Sequence, residues 1–162
     1  MIRGNEDIPE ALLNAFRLEK GAQAFYLSAA ERISDENGAS MFRRLAGMEE
    51  KHMHEIYSLY NGFQGDRSPV SLQQFKEEIS AEFMESGGKI EAALSDVSGR
   101  FFLDSREVLR LALKEEEAAR KLYLRLAERS EDSGTASLYR NLAEDEMAHM
   151  EMIREALERK GG

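Results

Sequence analysis

The sequence predicts an all-α protein, a four-helix bundle assembled from two copies of one helical hairpin and joined by a long crossover with a short helix of its own. Three observations predict it. Only two prolines, Pro9 and Pro69, interrupt 162 residues, so most of the chain is free to form continuous helix. Apolar residues recur at three- and four-residue spacing through four long segments, the period of a helix with one buried face. The second half also repeats the first at a constant offset of 97 positions, without a gap.

The first segment runs from about Pro9 to Ile33, with Leu12, Glu19, Tyr26 and Ile33 seven residues apart and therefore on one face. Ser34 to Gly38 reads as a polar turn. The second segment runs from about Ala39 to Tyr60, with Phe42, Leu45, Glu49, His52, Ile56 and Leu59 on one face, and Asn61-Gly62 as its stop. The hairpins are expected at about residues 9–60 and 105–159, in one domain, with the crossover at about 62–104. That connection is too long to be structureless in a compact domain. Ser71 and Gln74 have capping-box spacing, and Leu72, Phe75, Ile79 and Phe83 follow at helical spacing, so a short helix is expected there, ending at Gly87-Gly88. Ile90, Leu94, Phe101 and Phe102 are expected to pack over the bundle. Asp104 and Glu107 have the spacing to open the third long helix, which runs to about Arg129 with Leu109, Glu116 and Tyr123 on its face. After a turn at Glu131 to Gly134, the fourth runs from about Thr135 to Arg159 with Tyr139, Leu142, Glu146, His149 and Ile153 on its face.

The repeat pairs Leu12 with Leu109, Glu19 with Glu116, Tyr26 with Tyr123, Leu45-Ala46 with Leu142-Ala143, Glu49 with Glu146, His52-Met53 with His149-Met150, and Ile56 with Ile153. Short turns make each hairpin antiparallel, and the crossover lets the second dock beside the first.

Composition narrows the function. The formal charge of −9 argues against a nucleic-acid partner held through phosphates. The absence of cysteine excludes disulfides, thiolate metal sites and Cys nucleophiles within the chain. No apolar run is long enough to span a membrane, and acidic Glu6 and Asp7 stand where a signal peptide would need an apolar stretch. A cytoplasmic protein is expected.

The anomaly is ionisable residues on apolar faces. Glu19 lies between Leu12 and Tyr26, Glu49 and His52 lie between Leu45 and Ile56, and the second half repeats both placements. Buried carboxylates without compensation are costly. At about 1.5 Å rise per residue, Glu19 and the Glu49/His52 pair stand at nearly the same height in their hairpin, as do Glu116, Glu146 and His149 in theirs. Positions i and i+3 share a face, so each Glu-x-x-His can address one site. Four carboxylates and two imidazoles suit hard or borderline cations and balance two divalent ions. Iron is the expected pair, because an open oxygen and nitrogen set accommodates two oxidation states; spacing leaves manganese and zinc open. Tyr26 and Tyr123 share the ligand faces, either as hydrogen-bond donors to the carboxylates or as ordinary core tyrosines. His54 is expected at the surface and Glu50 and Glu117 off the ligand face. Met41, Met48, Met53, Met147, Met150 and Met152 are expected to be packing residues.

These segments resemble the ferritin-like di-iron carboxylate superfamily, most of all its rubrerythrin branch: Leu18-Glu19-Lys20 to Phe25-Tyr26, Leu45-Ala46 to Glu49-Glu50-Lys51-His52, Glu115-Glu116-Glu117 to Leu122-Tyr123, and Leu142-Ala143 to Glu146-Met147-Ala148-His149. One glutamate from each of two helices and a Glu-x-x-His from each of the other two is the known ligand pattern of that class. The resemblance implies that Glu19 and Glu116 are terminal ligands, that Glu49 and Glu146 bridge two irons, and that His52 and His149 each bind one. It implies reduction of hydrogen peroxide, or of oxygen. With no cysteine in the chain for a rubredoxin-type relay, the electrons are expected from a separate donor protein. Two positions depart from the relatives. Rubrerythrins carry a further Glu three residues after the third-helix ligand, where this chain has Ala119. Bacterioferritins have the same four-Glu, two-His set but a haem-binding Met where this chain has Glu50. The alternatives are a ferroxidase or iron-storage module and a metal-free structural bundle. Cage-forming ferritins add a fifth helix where this sequence reads Lys160-Gly161-Gly162, so a homodimer is expected, with exchange of hairpins between chains allowed by the long crossover.

Overall fold

A computed structural model describes residues 8–65, 70–79 and 105–161. They form helices α1 (Ile8–Arg32), α2 (Glu36–Gly62), α3 (Leu72–Glu78), α4 (Ser105–Arg129) and α5 (Ser133–Gly161). α1 packs along α2, and α4 along α5. Tyr26 meets Glu116 and Tyr123 meets Glu19, so α1 and α4 run antiparallel. Lys51 meets Asp145 and Asp35 meets Lys160, so α2 and α5 do too. The two hairpins are thus related by an approximate two-fold axis through the middle of the bundle.

Local chemistry sets the ends. The Asp35 carboxylate accepts from the backbone N–H groups of Asn37 and Gly38 at 3.3 and 3.1 Å, satisfying donors that a helix start leaves open. α2 therefore begins at Glu36, and the expected turn of Ser34 to Gly38 shrinks to Ile33–Asp35. Asp132, the repeat partner of Asp35, accepts from the Thr135 backbone N–H and hydroxyl, both at 2.7 Å. α5 likewise begins two residues earlier than its apolar pattern suggests. Gly65, at φ 66°, supplies the left-handed bend that follows α2.

The capping box of Ser71 and Gln74 is formed, but α3 ends at Glu78, short of Gly87-Gly88. Ile79 adopts an extended backbone (φ −97°, ψ 114°), and the Lys20 ammonium donates to the carbonyls of Lys76 and Ile79. A side chain thus occupies the Lys76 carbonyl, which a continuing helix would have bonded internally. Lys76 in turn bonds Glu50, which also accepts from Gln23 at 2.8 Å. Phe75 packs edge-on against Phe16, with ring centroids 4.7 Å apart. Together these contacts dock α3 on the first hairpin. The expectations for Pro69, Phe83, Gly87-Gly88, Ile90, Leu94, Phe101, Phe102 and Asp104 lie outside the described residues.

Two apolar clusters fill the bundle. One contains Phe25, Tyr26, Phe42, Leu45, Leu109 and Ile153; the other contains Leu12, Phe16, Ile56, Tyr123, Tyr139 and Leu142. Truncating a fully buried Leu such as Leu12 or Leu142 to Ala costs about 2–5 kcal/mol. Between the clusters lies a layer of ionisable side chains. No helix among the described residues is long and apolar enough to cross a membrane.

Candidate metal centre

The heptad that makes each long helix amphipathic also delivers its exception to the bundle axis. Glu19 is flanked along its face by Phe16 and Ala22, Glu116 by Ala112 and Ala119, Glu49 by Ala46 and Met53, and Glu146 by Ala143 and Met150, all buried. The alanines leave room for charged groups to converge. All six expected residues meet there: Glu19 and Glu146 are 0% exposed, Glu49 and His52 1%, His149 2% and Glu116 3%.

Their donor atoms form two groups. Glu19, Glu49, His52 and Glu146 make one, Glu49, Glu116, Glu146 and His149 the other, each with its donor atoms within 4.8 Å of one another. Glu49 and Glu146 belong to both. His52 Nδ1 lies 3.2 Å from Glu19, 3.2 Å from Glu49 and 3.3 Å from Glu146. His149 Nδ1 lies 3.2 Å from Glu116, 3.0 Å from Glu146 and 3.5 Å from Glu49. The imidazoles stack 5.2 Å apart at 16°.

One imidazole nitrogen carries at most one proton, and each here faces three carboxylates. The shortfall falls on the shared pair: neither oxygen of Glu49 or Glu146 makes a well-formed hydrogen bond. Buried acceptors without donors are costly, and carboxylates about 4 Å apart repel by about 4 kcal/mol at an effective dielectric near 20. Cations would relieve both. With no metal, protons must serve instead. Burial and then the Glu49 charge push Glu19 up to about 8. Burial and then the charges of Glu116 and Glu49 push Glu146 well above the carboxylate range. Burial opposes charge on His149, but its hydrogen bond to Glu116 and the close carboxylates of Glu146 and Glu49 outweigh it and raise the ring to about 12. His52 is raised too, against its own burial, chiefly by the charge of Glu19. An all-oxygen-and-nitrogen set that is short of positive charge fits two hard or borderline divalent ions.

The tyrosines connect the halves crosswise. Tyr26 donates to Glu116 and Tyr123 to Glu19, so each steadies the carboxylate of the opposite hairpin rather than the one on its own helix. His54 is exposed, and exposed Glu117 pairs with Lys121 at 3.0 Å. Glu50, off the ligand face, holds α3. Of the methionines, Met53 and Met150 are buried and Met41, Met48 and Met152 pack partly buried against the core. Met147 departs from the packing expectation: it is 43% exposed, because it follows Glu146 and points off the buried face.

Sequence periodicity missed one residue in contact with the cluster. Asp145 Oδ2 lies 3.4 Å from His52 Nε2 and 3.3 Å from the Lys51 ammonium. The neighbouring His52 ring, then Lys51, hold Asp145 down at about 2 against partial burial. As the immediate neighbour of Glu146 it leaves the ligand face, which is why the heptad does not reveal it. The antiparallel register of α2 and α5, which sets residue 52 against residue 145, would have done so. Glu115 is also buried, where its repeat partner is Leu18.

A solved structure titled a hypothetical protein from Pyrococcus furiosus is similar to this chain, with a TM-score of 0.69 and 26% identity over 93% of this chain and 88% of its own. No curated protein matches. The family model for rubrerythrin matches residues 10–93 and 107–162, which include all but the first two residues of α1 and of α4, the whole of α2 and α5, and every residue of the cluster. The chain therefore belongs to the rubrerythrin family.

Proposed function

We propose that the chain is a non-haem di-iron oxidoreductase that reduces hydrogen peroxide, or oxygen, with electrons from a separate donor protein. The observation that carries this reading is the sharing of Glu49 and Glu146 between two four-residue groups while their four buried oxygens lack hydrogen-bond donors. In this reading Glu19, Glu49, His52 and Glu146 would hold one ion and Glu49, Glu116, Glu146 and His149 the other, with Glu49 and Glu146 contributing to both and each imidazole presenting Nδ1. When bound, the iron pair supplies one electron from each ion to an O–O bond. Tyr26 and Tyr123 hold Glu116 and Glu19 in place and keep a phenolic proton within one hydrogen bond of the site. The apolar clusters above and below keep water from the other faces of the carboxylates, which strengthens every charge interaction between them. The proposed setting is the cytoplasm and the proposed assembly a homodimer, in which exchanged hairpins would leave the ligand set unchanged.

One observation favours a second reading. Ala119 is buried in the apolar cluster beside Tyr123, where rubrerythrins supply a further glutamate, and the remaining set resembles that of a ferroxidase. Stopped-flow oxidation of the anaerobic, iron(II)-loaded protein, paired with light scattering, separates the two. The oxidoreductase reading expects faster oxidation by peroxide than by oxygen, a small assembly, and steady turnover only with an added donor. A many-subunit shell that accumulates iron mineral beyond two ions per bundle would replace it with iron storage.

A further inference from the structure

The repeat that makes the two halves of the cluster alike breaks at the residues behind the imidazoles. Behind His52 stands Asp145, 3.4 Å from Nε2 and tied to Lys51. The offset of 97 places Met48 at the position matching Asp145 and Ala148 at the position matching Lys51. Met48 packs against the apolar cluster, and among the described residues no carboxylate faces His149 Nε2. Both rings turn Nδ1 toward the carboxylates, so only Nε2 can take a supporting partner.

We propose that Asp145 is a positioning residue that makes the two metal positions unequal, so that the one containing Glu19 and His52 fills before the one containing Glu116 and His149. The inference rests on the metal-site reading above and not on the peroxide reaction. An Asp that accepts from Nε2–H fixes the tautomer that leaves the Nδ1 lone pair free. It also limits rotation of the ring and makes Nδ1 a stronger donor; partners of this kind typically contribute 10- to 100-fold in metal affinity. Its negative charge, only partly offset by exposed Lys51, adds attraction for a cation on the same side. His149 must choose its tautomer without such a partner. The two shared carboxylates contribute to both positions alike, so they do not set the order.

The chain has three histidines, so the order of filling is readable by histidine-selective 15N NMR of the full metal-free chain during titration with zinc(II), a diamagnetic ion that needs no redox step. The expected result is that the His52 resonances reach their bound positions during the first equivalent and those of His149 during the second, with a gap of about tenfold or more in apparent affinity. Asp145→Asn, conservative in shape at a partly exposed site, should erase the lead of His52. Met48→Asp, which supplies the missing partner on the other side, should close the gap by strengthening the His149 position, and it tests the proposal independently if the first variant folds poorly. Simultaneous filling in the unaltered chain, His149 filling first, or an order unchanged by either substitution overturns the proposal while leaving the ligand set standing. Zinc that shifts neither histidine removes the metal site itself, and the inference with it.

Discussion

The two hairpins agree at the buried layer of carboxylates and imidazoles and differ immediately around it. Each has an aspartate at the head of its second helix, Asp35 or Asp132, and each sends one glutamate, one Glu-x-x-His and one tyrosine to the axis. Off that face they part. Lys20 and Glu50 of the first hairpin hold α3 and Gln23 holds Glu50, whereas the matching positions of the second are Glu117, Arg120 and exposed Met147. Met48 and Lys51 answer to Asp145 and Ala148, and Phe42 answers to Tyr139. The difference teaches which constraint acts where. The layer is fixed by a charge problem that needs all four carboxylates and both imidazoles at once. Its neighbours respond only to what packs on each hairpin, and α3 packs on one.

The largest test of this likeness removes a shared carboxylate. Glu49→Ala and Glu146→Ala should each lower metal affinity by at least about 100-fold, beyond what an outer partner contributes, and should drop the stoichiometry below two ions per chain in equilibrium dialysis with manganese(II). Equal losses are expected, because both residues belong to both groups. A loss confined to one variant would mean that the halves are not equivalent at the bridge, and unaffected binding in the double variant would defeat the site assignment.

Metal removal comes next in size. Each site held at a hundred times its dissociation constant adds about 2.7 kcal/mol by mass action. The increment should also depend on pH. Glu19 rises from 4.5 unfolded to about 8 in the metal-free fold, so its contribution to metal-free stability is fully present below 4.5 and is lost as pH climbs through about 8. Metal needs the ionised carboxylate. The gain in melting temperature on adding manganese(II) should therefore grow between pH 4.5 and about 8, with protons released on binding. Calorimetry showing a pH-independent increment would mean that the cluster holds no proton for the metal to displace.

The fold and the convergence of the six carboxylate and imidazole side chains were legible because both are written in periodicity. Glutamates seven residues from Leu12 and Tyr26 cannot avoid the axis, and the offset of 97 makes each anomaly appear twice. What stayed hidden obeys contacts between helices rather than spacing along one. The end of α3 depends on Lys20, more than fifty residues upstream, taking the carbonyls of Lys76 and Ile79. The crossing of the tyrosines depends on α1 and α4 running antiparallel; periodicity alone placed each on the same face as the glutamate of its own helix and did not say which carboxylate it meets. Asp145 is one residue off the ligand face and becomes visible only when α2 and α5 are set side by side.

A smaller effect probes the crossing. Tyr26→Phe and Tyr123→Phe each remove a buried hydrogen bond to a carboxylate, worth about 1.5–3 kcal/mol. Both should destabilise the metal-loaded protein in chemical denaturation, by similar amounts. A strongly unequal pair would mean that the two end carboxylates, Glu116 and Glu19, are held differently.

The smallest effect is expected where the halves differ without consequence for the ligands. Tyr139 stands where the first hairpin has Phe42. Its ring stacks on Tyr123 with centroids 6.0 Å apart at 14°, and Phe42 lies 5.9 Å from Tyr26 at 32°, so both rings buttress the tyrosine that reaches a glutamate. The Tyr139 side chain is 2% exposed and its hydroxyl makes no hydrogen bond among the described residues. Burial pushes that phenol up to about 12, so it stays neutral. Leaving a buried hydroxyl unpaired costs about 1–3 kcal/mol. Tyr139→Phe keeps the stack and removes that cost, and is expected to leave stability unchanged or raise it by about 1 kcal/mol, a shift of some 2–4 °C in a domain of this size. Phe42→Tyr does the reverse in the other apolar cluster and should destabilise by about 1–3 kcal/mol. A destabilised Tyr139→Phe with unchanged metal binding would show that the hydroxyl has a stabilising partner in solution, and that this difference between the hairpins is a structural requirement of the second.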